Sequence, residues 1–473
     1  DIMKLSGEIA LASGFIFDYS NMINTDTITP AVIETLESKA KDAADALLLI
    51  REQGMAKAHL SKDGTPEHVL FTKLPFVKNG NPNTPESIAK LKQFGSYLQQ
   101  EIDAVVFLGV GGSYLGNKVL FDIFAGSGWN VGCEKSRHGY PRVYFSGNNL
   151  DVDQYSEVVD EVEYLATHRL GKNEQFRVLL VPISKSGTTL ETLAAFSYFY
   201  EQCQKSSLLQ MEVAVVTDLD EDISPLYNLA KENVWQCFDI KEGIGGRFCI
   251  FSDPGLITAA AIGMDIDAFL CGARDMENAC QSASLGENPA LLNAVLKYAA
   301  AEKGVDIEVF MPYAAKMKSV GEWYVQLLAE SLGKRKDREG NVVYYGRTPV
   351  SAVGSTDMHA QTQQHQDGKK DKVIQLVVNN PFTHISSLKK YDGLSVDHAL
   401  KIALAANEEA LNSDGRLNAK YILPRIDEYY LGQLLYFLML SVAYEGELAD
   451  VDAYDQPGVE TYKQIMKLKM SHQ

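Results

Sequence analysis

The sequence predicts an α/β fold of two blocks, each a parallel sheet flanked by helices, with helical extensions at the amino and carboxyl ends. Short continuous runs of Val, Leu, Ile and Phe alternate with helix-like segments, the pattern of parallel strands covered on both faces. A glycine-rich break, Glu242–Gly255, separates two such series. The 473-residue chain is 46% hydrophobic and 22% charged. That is enough apolar material for several cores, and it excludes a disordered or collagen-like chain.

Each element follows from its local pattern. Ala31–Gln53 is rich in Ala, Leu, Glu and Lys and free of Gly and Pro until Gly54, so it reads as a helix. The first series of strands is Ala104–Val110, Arg142–Ser146, Arg177–Ile183 and Glu212–Thr217, with a helix over Leu190–Lys205 between the last two. The second series is Ile307–Tyr313, Asn341–Gly346 and Val373–Val378. The uncharged run Tyr429–Tyr444 is shorter than the ~20 apolar residues needed to cross a bilayer and reads as a buried helix. The expected organisation is a helical extension over 1–60, a first block over 61–240, a connection over 241–285, a second block over 286–420 and terminal helices over 421–473.

Charge and cysteine usage narrow the partners. A net charge of −18 disfavours nucleic acid and anionic membranes. An anionic substrate would need basic residues gathered locally against that field. The six cysteines form no Cys-x-x-Cys pair, so zinc is not expected. They read as reduced thiols of a cytoplasmic protein. The first residues lack the charged and apolar regions of a signal peptide.

Open parallel sheets bind ligands beyond the carboxyl ends of their strands, so the chemistry is sought there. After the Ala104 strand comes Gly109–Gly116, in which Gly112 allows close backbone approach and Ser113 offers a hydroxyl. A plain tight turn explains it equally well. After the Arg177 strand come Ser184, Lys185, Ser186, Gly187, Thr188 and Thr189, then a helix. Four hydroxyls and an ammonium at a helix start suit a phosphate, because the first turn presents unpaired N–H groups and partial positive charge. Thr188 or Thr189 as a helix cap accounts for one hydroxyl only. No Walker-type loop is present, so a sugar phosphate or other phosphomonoester fits better than a nucleotide.

Candidate acid–base groups lie further along. Gln326 and Glu330 are four residues apart on one helix face with apolar residues between them. An exposed glutamate on an amphipathic helix is the alternative. Gly354–Gly368 carries His359 and His365 without a metal-ligand spacing, and each alone reads also as a surface residue. Arg247, beside Gly245 and Gly246, is a candidate anion stabiliser or a loop arginine. Gln456, Glu460 and Lys463 follow as catalytic candidates or as solvated charges of a terminal helix.

Taken together, six segments resemble the phosphoglucose isomerase family, in its shorter bacterial form. They are LGVGGSYLG (108–116), VPISKSGTTLET (181–192), GGRFCIFSDPGL (245–256), QLLAES (326–331), GSTDMHAQ (354–361) and YDQPGVETYK (454–463). The resemblance runs from about Phe107 to Lys463. It implies two sugar-isomerase (SIS) domains and reversible isomerisation of glucose 6-phosphate and fructose 6-phosphate, a step of glycolysis and gluconeogenesis, with no metal or organic cofactor. It further implies a homodimer in which His359 is lent across the interface.

By the same resemblance, Glu330 is the base that moves a proton between C2 and C1 through a cis-enediol(ate). His359 and Lys463 open the sugar ring, and Arg247 stabilises the enediolate. Ser184, Lys185, Ser186, Thr188 and Thr189 cradle the phosphate, while Gly112, Ser113, Gln326 and Gln456 contact the sugar. Cys249 stands where Ser or Thr is usual, and Leu332 where Asn is common; Cys249 raises the expectation of oxidation sensitivity. Rival expectations are another isomerase on the same domains and a non-catalytic sugar-phosphate sensor. The sensor would have no use for Glu330, His359 and Lys463.

Overall fold

The computed structural model describes residues 5–380, 384 and 386–472. It divides into two units, one of residues 73–270 and one of residues 1–72 with 271–473.

The 73–270 unit is a five-stranded parallel sheet. Its spatial order is Arg142–Ser146, Ala104–Leu108, Phe176–Pro182, Leu209–Thr217 and Gln236–Asp239. In chain order this is 2-1-3-4-5, a doubly wound sheet whose topological switch point lies between the Ala104 and Phe176 strands. The Ala104–Leu108 strand is buried at every residue, as strands covered on both faces must be. Its core joins Val106, Leu108, Val178, Leu180 and Val215 to Phe196 and Phe199 of the Leu190–Lys205 helix. The Gln236–Asp239 strand is too short and too polar to stand out in the sequence.

The second unit repeats the pattern. Thr348–Ser351, Ile307–Pro312, Lys372–Asn379 and Asn418–Leu423 run parallel in the chain order 2-1-3-4. The hairpin Glu8–Ala10/Ile16–Asp18 then extends the sheet antiparallel from the Asn418 strand. Glu8–Ala10 and Ile16–Asp18, expected within a helical extension, are therefore strands; the expected helix follows at Pro30–Gln53. Thr29 accepts from Val32 N–H at its start, and Gly54 ends it in the left-handed conformation at φ 66°.

The expected strand Asn341–Gly346 forms only over Val342–Tyr345, and outside the sheet. It pairs antiparallel with Lys334–Lys336 and is mostly exposed. The parallel position beside Ile307–Pro312 is taken by Thr348–Ser351, whose pattern is weakly apolar because an edge strand needs less burial. Residues 241–285, expected as a connection, hold two helices, Asp253–Ile262 and Ile266–Ala279, and the boundary of the two units falls within the second.

The predicted C-terminal helix is Glu428–Leu448 and is buried around nearly its whole circumference. Asp427 caps it by accepting from Tyr430 N–H at 2.9 Å. Leu434, Leu435, Phe437 and Leu438 are fully buried, each contributing about 2 kcal/mol of apolar burial. Among the described residues no helix is long and apolar enough to cross a membrane.

A buried charge network ties this helix to the sheet. Arg347 donates to both carboxylate oxygens of Glu445 at 2.7 Å and to Glu308 at 3.1 Å. Lys297 lies 3.1 Å from Glu308, and Tyr324 donates to the same carboxylate. Two cations and two carboxylates balance, which is the condition for burying all four.

Candidate active site

Three loops converge at the switch point of the 73–270 unit. Gly109–Gly116 follows the Ala104 strand, and Ser184–Thr189 follows the Phe176 strand. The third, Gly245–Phe248, packs against the first so closely that a Cβ on Gly112 would overlap the backbone of Gly246. Glycine at Gly112 therefore serves backbone approach, whereas a Cβ on Gly245 or Gly246 would meet only ordinary contacts at 3.6 Å. Cys249 donates its thiol to the Gly112 carbonyl at 3.2 Å. Burial pushes that thiol up to about 12, so it stays protonated at neutral pH and does not become the reactive thiolate that oxidation requires. Cysteine here acts as a hydrogen-bond donor that holds the two loops together. Arg247 is buried and lies over the Phe248 ring.

The four hydroxyls of the second loop divide their tasks. Ser184 is buried; it accepts from Gly187 N–H at 3.1 Å and meets Thr189 Oγ1 at 2.8 Å. Ser186 and Thr188 are exposed and 2.9 Å apart. Gly187 sits at φ 67°, where a side chain would be strained and would also strike Ser224. Thr189 precedes the Leu190–Lys205 helix yet makes no capping hydrogen bond. The helix-cap alternative is thereby set aside for Thr189. Lys185 is exposed, its Nζ 3.2 Å from the Ile244 carbonyl, which links this loop to the Gly245 segment. Ser113 is half-buried in the turn Gly111–Ser113.

The other unit carries the remaining candidates. Glu330 and Gln326 lie on the Lys318–Leu332 helix, both half-buried, with Gln326 Nε2 donating to Glu330 Oε1 at 3.4 Å. His359 is exposed at the end of the short turn Thr356–His359, beyond the Thr348–Ser351 strand. His365, by contrast, is buried. Gln456 and Lys463 are exposed, Lys463 on the Glu460–Ser471 helix, which has no buried residue.

One pair escapes sequence reasoning. Lys334, four residues after Glu330, is buried and donates to the Asp455 carbonyl at 2.6 Å and to its carboxylate at 2.8 Å. The loop that presents Gln456 is thus pinned to the end of the glutamate's helix. The signal was the i, i+4, i+8 line Gln326, Glu330, Lys334, which continues one face just past the helix end.

Among the described residues no group of three or more His, Cys, Asp or Glu is placed to hold a metal ion. A hydroxyl-rich loop at a sheet switch point and a half-buried glutamate on a separate helix define a class: α/β proteins built to handle small phosphorylated molecules by acid–base chemistry. Residues 86–414 match the family model described as phosphoglucose isomerase. A glucose-6-phosphate isomerase of Carboxydothermus hydrogenoformans is 33% identical over 403 residues, 83% of either chain. One from Methanocaldococcus jannaschii is 32% identical, covering 80% of this chain and 86% of its own. The fold is shared with a glucose-6-phosphate isomerase structure from Chlamydia trachomatis, with TM-score 0.81, 22% identity, and coverage of 99% and 90%. The chain belongs to the phosphoglucose isomerase family.

Proposed function

We propose that this chain interconverts glucose 6-phosphate and fructose 6-phosphate by ring opening followed by proton transfer through a cis-enediol(ate). The observation that carries the reading is the Ser184–Thr189 loop, uncapped at the switch point of a parallel sheet, in a member of this family. Ser186, Thr188 and Thr189 hold the phosphate together with Lys185 and the first amides of the Leu190 helix. Ser184 shapes the loop from beneath. Arg247 stabilises negative charge on the enediolate oxygen. Gly112, Ser113, Gln326 and Gln456 contact the sugar.

Aldose and ketose differ in the position of one proton and in which of C1 and C2 carries the carbonyl. The Glu330 carboxylate takes the proton from C2 of the open-chain aldose, and the electron pair of that C–H bond forms the enediolate. The same carboxyl returns the proton to C1, so no redox partner enters. His359 and Lys463 move the protons that open the ring, Lys463 at the ring oxygen. His359 acts in the neighbouring subunit of a homodimer; its exposure in the single chain supports this. So does the exposed apolar row Tyr462, Ile465 and Leu468. The enzyme works in the cytoplasm and needs no cofactor.

A coupled assay of the purified protein, from fructose 6-phosphate to glucose 6-phosphate with EDTA present, tests the proposal. Sustained turnover is expected. Absence of turnover while fructose 6-phosphate still raises the melting temperature would instead make the protein a sugar-phosphate sensor.

A further inference from the structure

The second unit has a cavity of about 110 Å³ at the amino ends of its strands. It is lined by Lys303, Lys370, Lys372, Arg416 and His365, together with the first residues of the sheet. Lys372 opens the Lys372–Asn379 strand, Arg416 precedes the Asn418 strand, and Lys303 precedes the Ile307 strand. His365 reaches the lining from the Thr362–Asp367 helix, whereas His359 ends the preceding turn, beyond the carboxyl end of the Thr348–Ser351 strand, and is not part of the lining. Nothing in the isomerase chemistry uses this edge.

The charge of the lining is unusual for a chain of net charge −18. Four cations face two carboxylates: Lys372 pairs with Asp371 at 2.7 Å, while Lys370 and Arg416 pair with Asp414 at 3.3 and 2.8 Å. The excess is two positive charges. Arg416 is held in place, donating to the carbonyls of His365 and Gly368 at 2.9 and 2.8 Å. The Lys372 side chain is 7% exposed, so its ammonium has lost most of its water. His365 is buried, and its Nδ1 has no hydrogen-bond partner. Burial and the nearby Lys372 lower its proton affinity, which keeps the ring neutral. By this measure one water needs only about 10–15 Å³, so the space is ample for a small oxyanion among these cations.

We propose that this cavity is a second anion site, which takes a small dianion of the phosphate class. Two surplus charges and the ammonium and guanidinium donors around the cavity select it. Free phosphate and the head of a small phosphate monoester present the same oxygens. The cavity favours free phosphate, since an ester arm would have to leave through its mouth.

The test is calorimetric titration of the full chain with inorganic phosphate, and separately with glycerol 3-phosphate. Three proteins are compared: wild type, the double variant Lys303→Glu/Lys370→Glu, and the control Lys389→Glu/Lys390→Glu. All four lysines are exposed, so folding is preserved. Wild type is expected to bind inorganic phosphate in two classes of site, one displaced by fructose 6-phosphate and one not. The first double variant should weaken only the undisplaced class, at least tenfold, and the control should keep both. Glycerol 3-phosphate should fill the undisplaced class more weakly than phosphate. Identical isotherms for all three proteins, or equal loss in the control, would overturn the proposal. Failure of the isomerase reading alone would remove the displaced class and leave the undisplaced one in place.

Discussion

Glu330 receives the Gln326 amide at 3.4 Å and sits half-buried, an arrangement that orients a carboxylate without removing it from solvent. Glu330→Gln preserves the shape and deletes the base. The variant is expected to bind fructose 6-phosphate with near-wild-type affinity and to lose kcat by several orders of magnitude. Near-full turnover in a stopped-time assay would reject the assignment. A different residue governs the pH dependence of stability. Asp253 is 8% exposed at the start of the Asp253–Ile262 helix, and burial pushes its carboxyl up to about 6, with Asp239 adding like-charge repulsion. The folded value lies above the unfolded one, so the folded state holds this proton more tightly. This contribution is full below about pH 4, falls as pH rises, and is gone above about 6, a swing of about 3 kcal/mol. Asp253→Asn should therefore melt higher than wild type at pH 7.5 and converge with it near pH 4. A melting difference that does not change across that range would refute burial of this carboxyl as the cause.

At the scale of elements, the Lys318–Leu332 helix is anchored at its middle and just past its carboxyl end by buried polar contacts. Tyr324 joins it to Glu308 of the charge network, and Lys334, just past the helix, joins it to Asp455. The first contact fixes the helix on its sheet. The second fixes the Gln456 loop relative to Glu330. Lys334→Met removes the donor and leaves the Asp455 carbonyl without it, at a cost of about 1–3 kcal/mol. The expected result is a rise in KM for fructose 6-phosphate of at least tenfold, with inhibition by inorganic phosphate unchanged because Ser184–Thr189 is untouched. Equal weakening of phosphate inhibition would mean general damage rather than loss of loop positioning.

For the whole molecule, the decisive question is which chain supplies His359. If the histidine serves the neighbouring subunit, His359→Ala and Glu330→Gln chains complement one another. Unfolding and refolding a one-to-one mixture yields about half mixed dimers, each with one intact site, hence about a quarter of wild-type activity. If both residues act within one chain, the mixture stays as inactive as its parents. The same experiment reports on the dimer itself, since exchange requires one.

The alternation of apolar runs and helices, the Gly187 loop and the buried Tyr429–Tyr444 segment were legible from residue order alone, because period, turn chemistry and hydrophobicity are local properties. The two-block α/β class followed from them. Local signals did not reveal the short Gln236 and Thr348 strands, the amino-terminal hairpin that completes a sheet, or the withdrawal of Val342–Tyr345 from it. Edge position relaxes the apolar pattern, and the hairpin's pairing partner lies hundreds of residues away. Among the site residues, the sequence pointed to four loop hydroxyls without ranking them. Tertiary structure separates buried Ser184 from exposed Ser186 and Thr188, and His365 in the core from the more accessible His359. It also joins Lys334 to Asp455 across 121 positions of chain. Residue identity determined what chemistry this protein can perform; burial and long-range pairing, which depend on the packed whole, decided which of those residues are free to perform it.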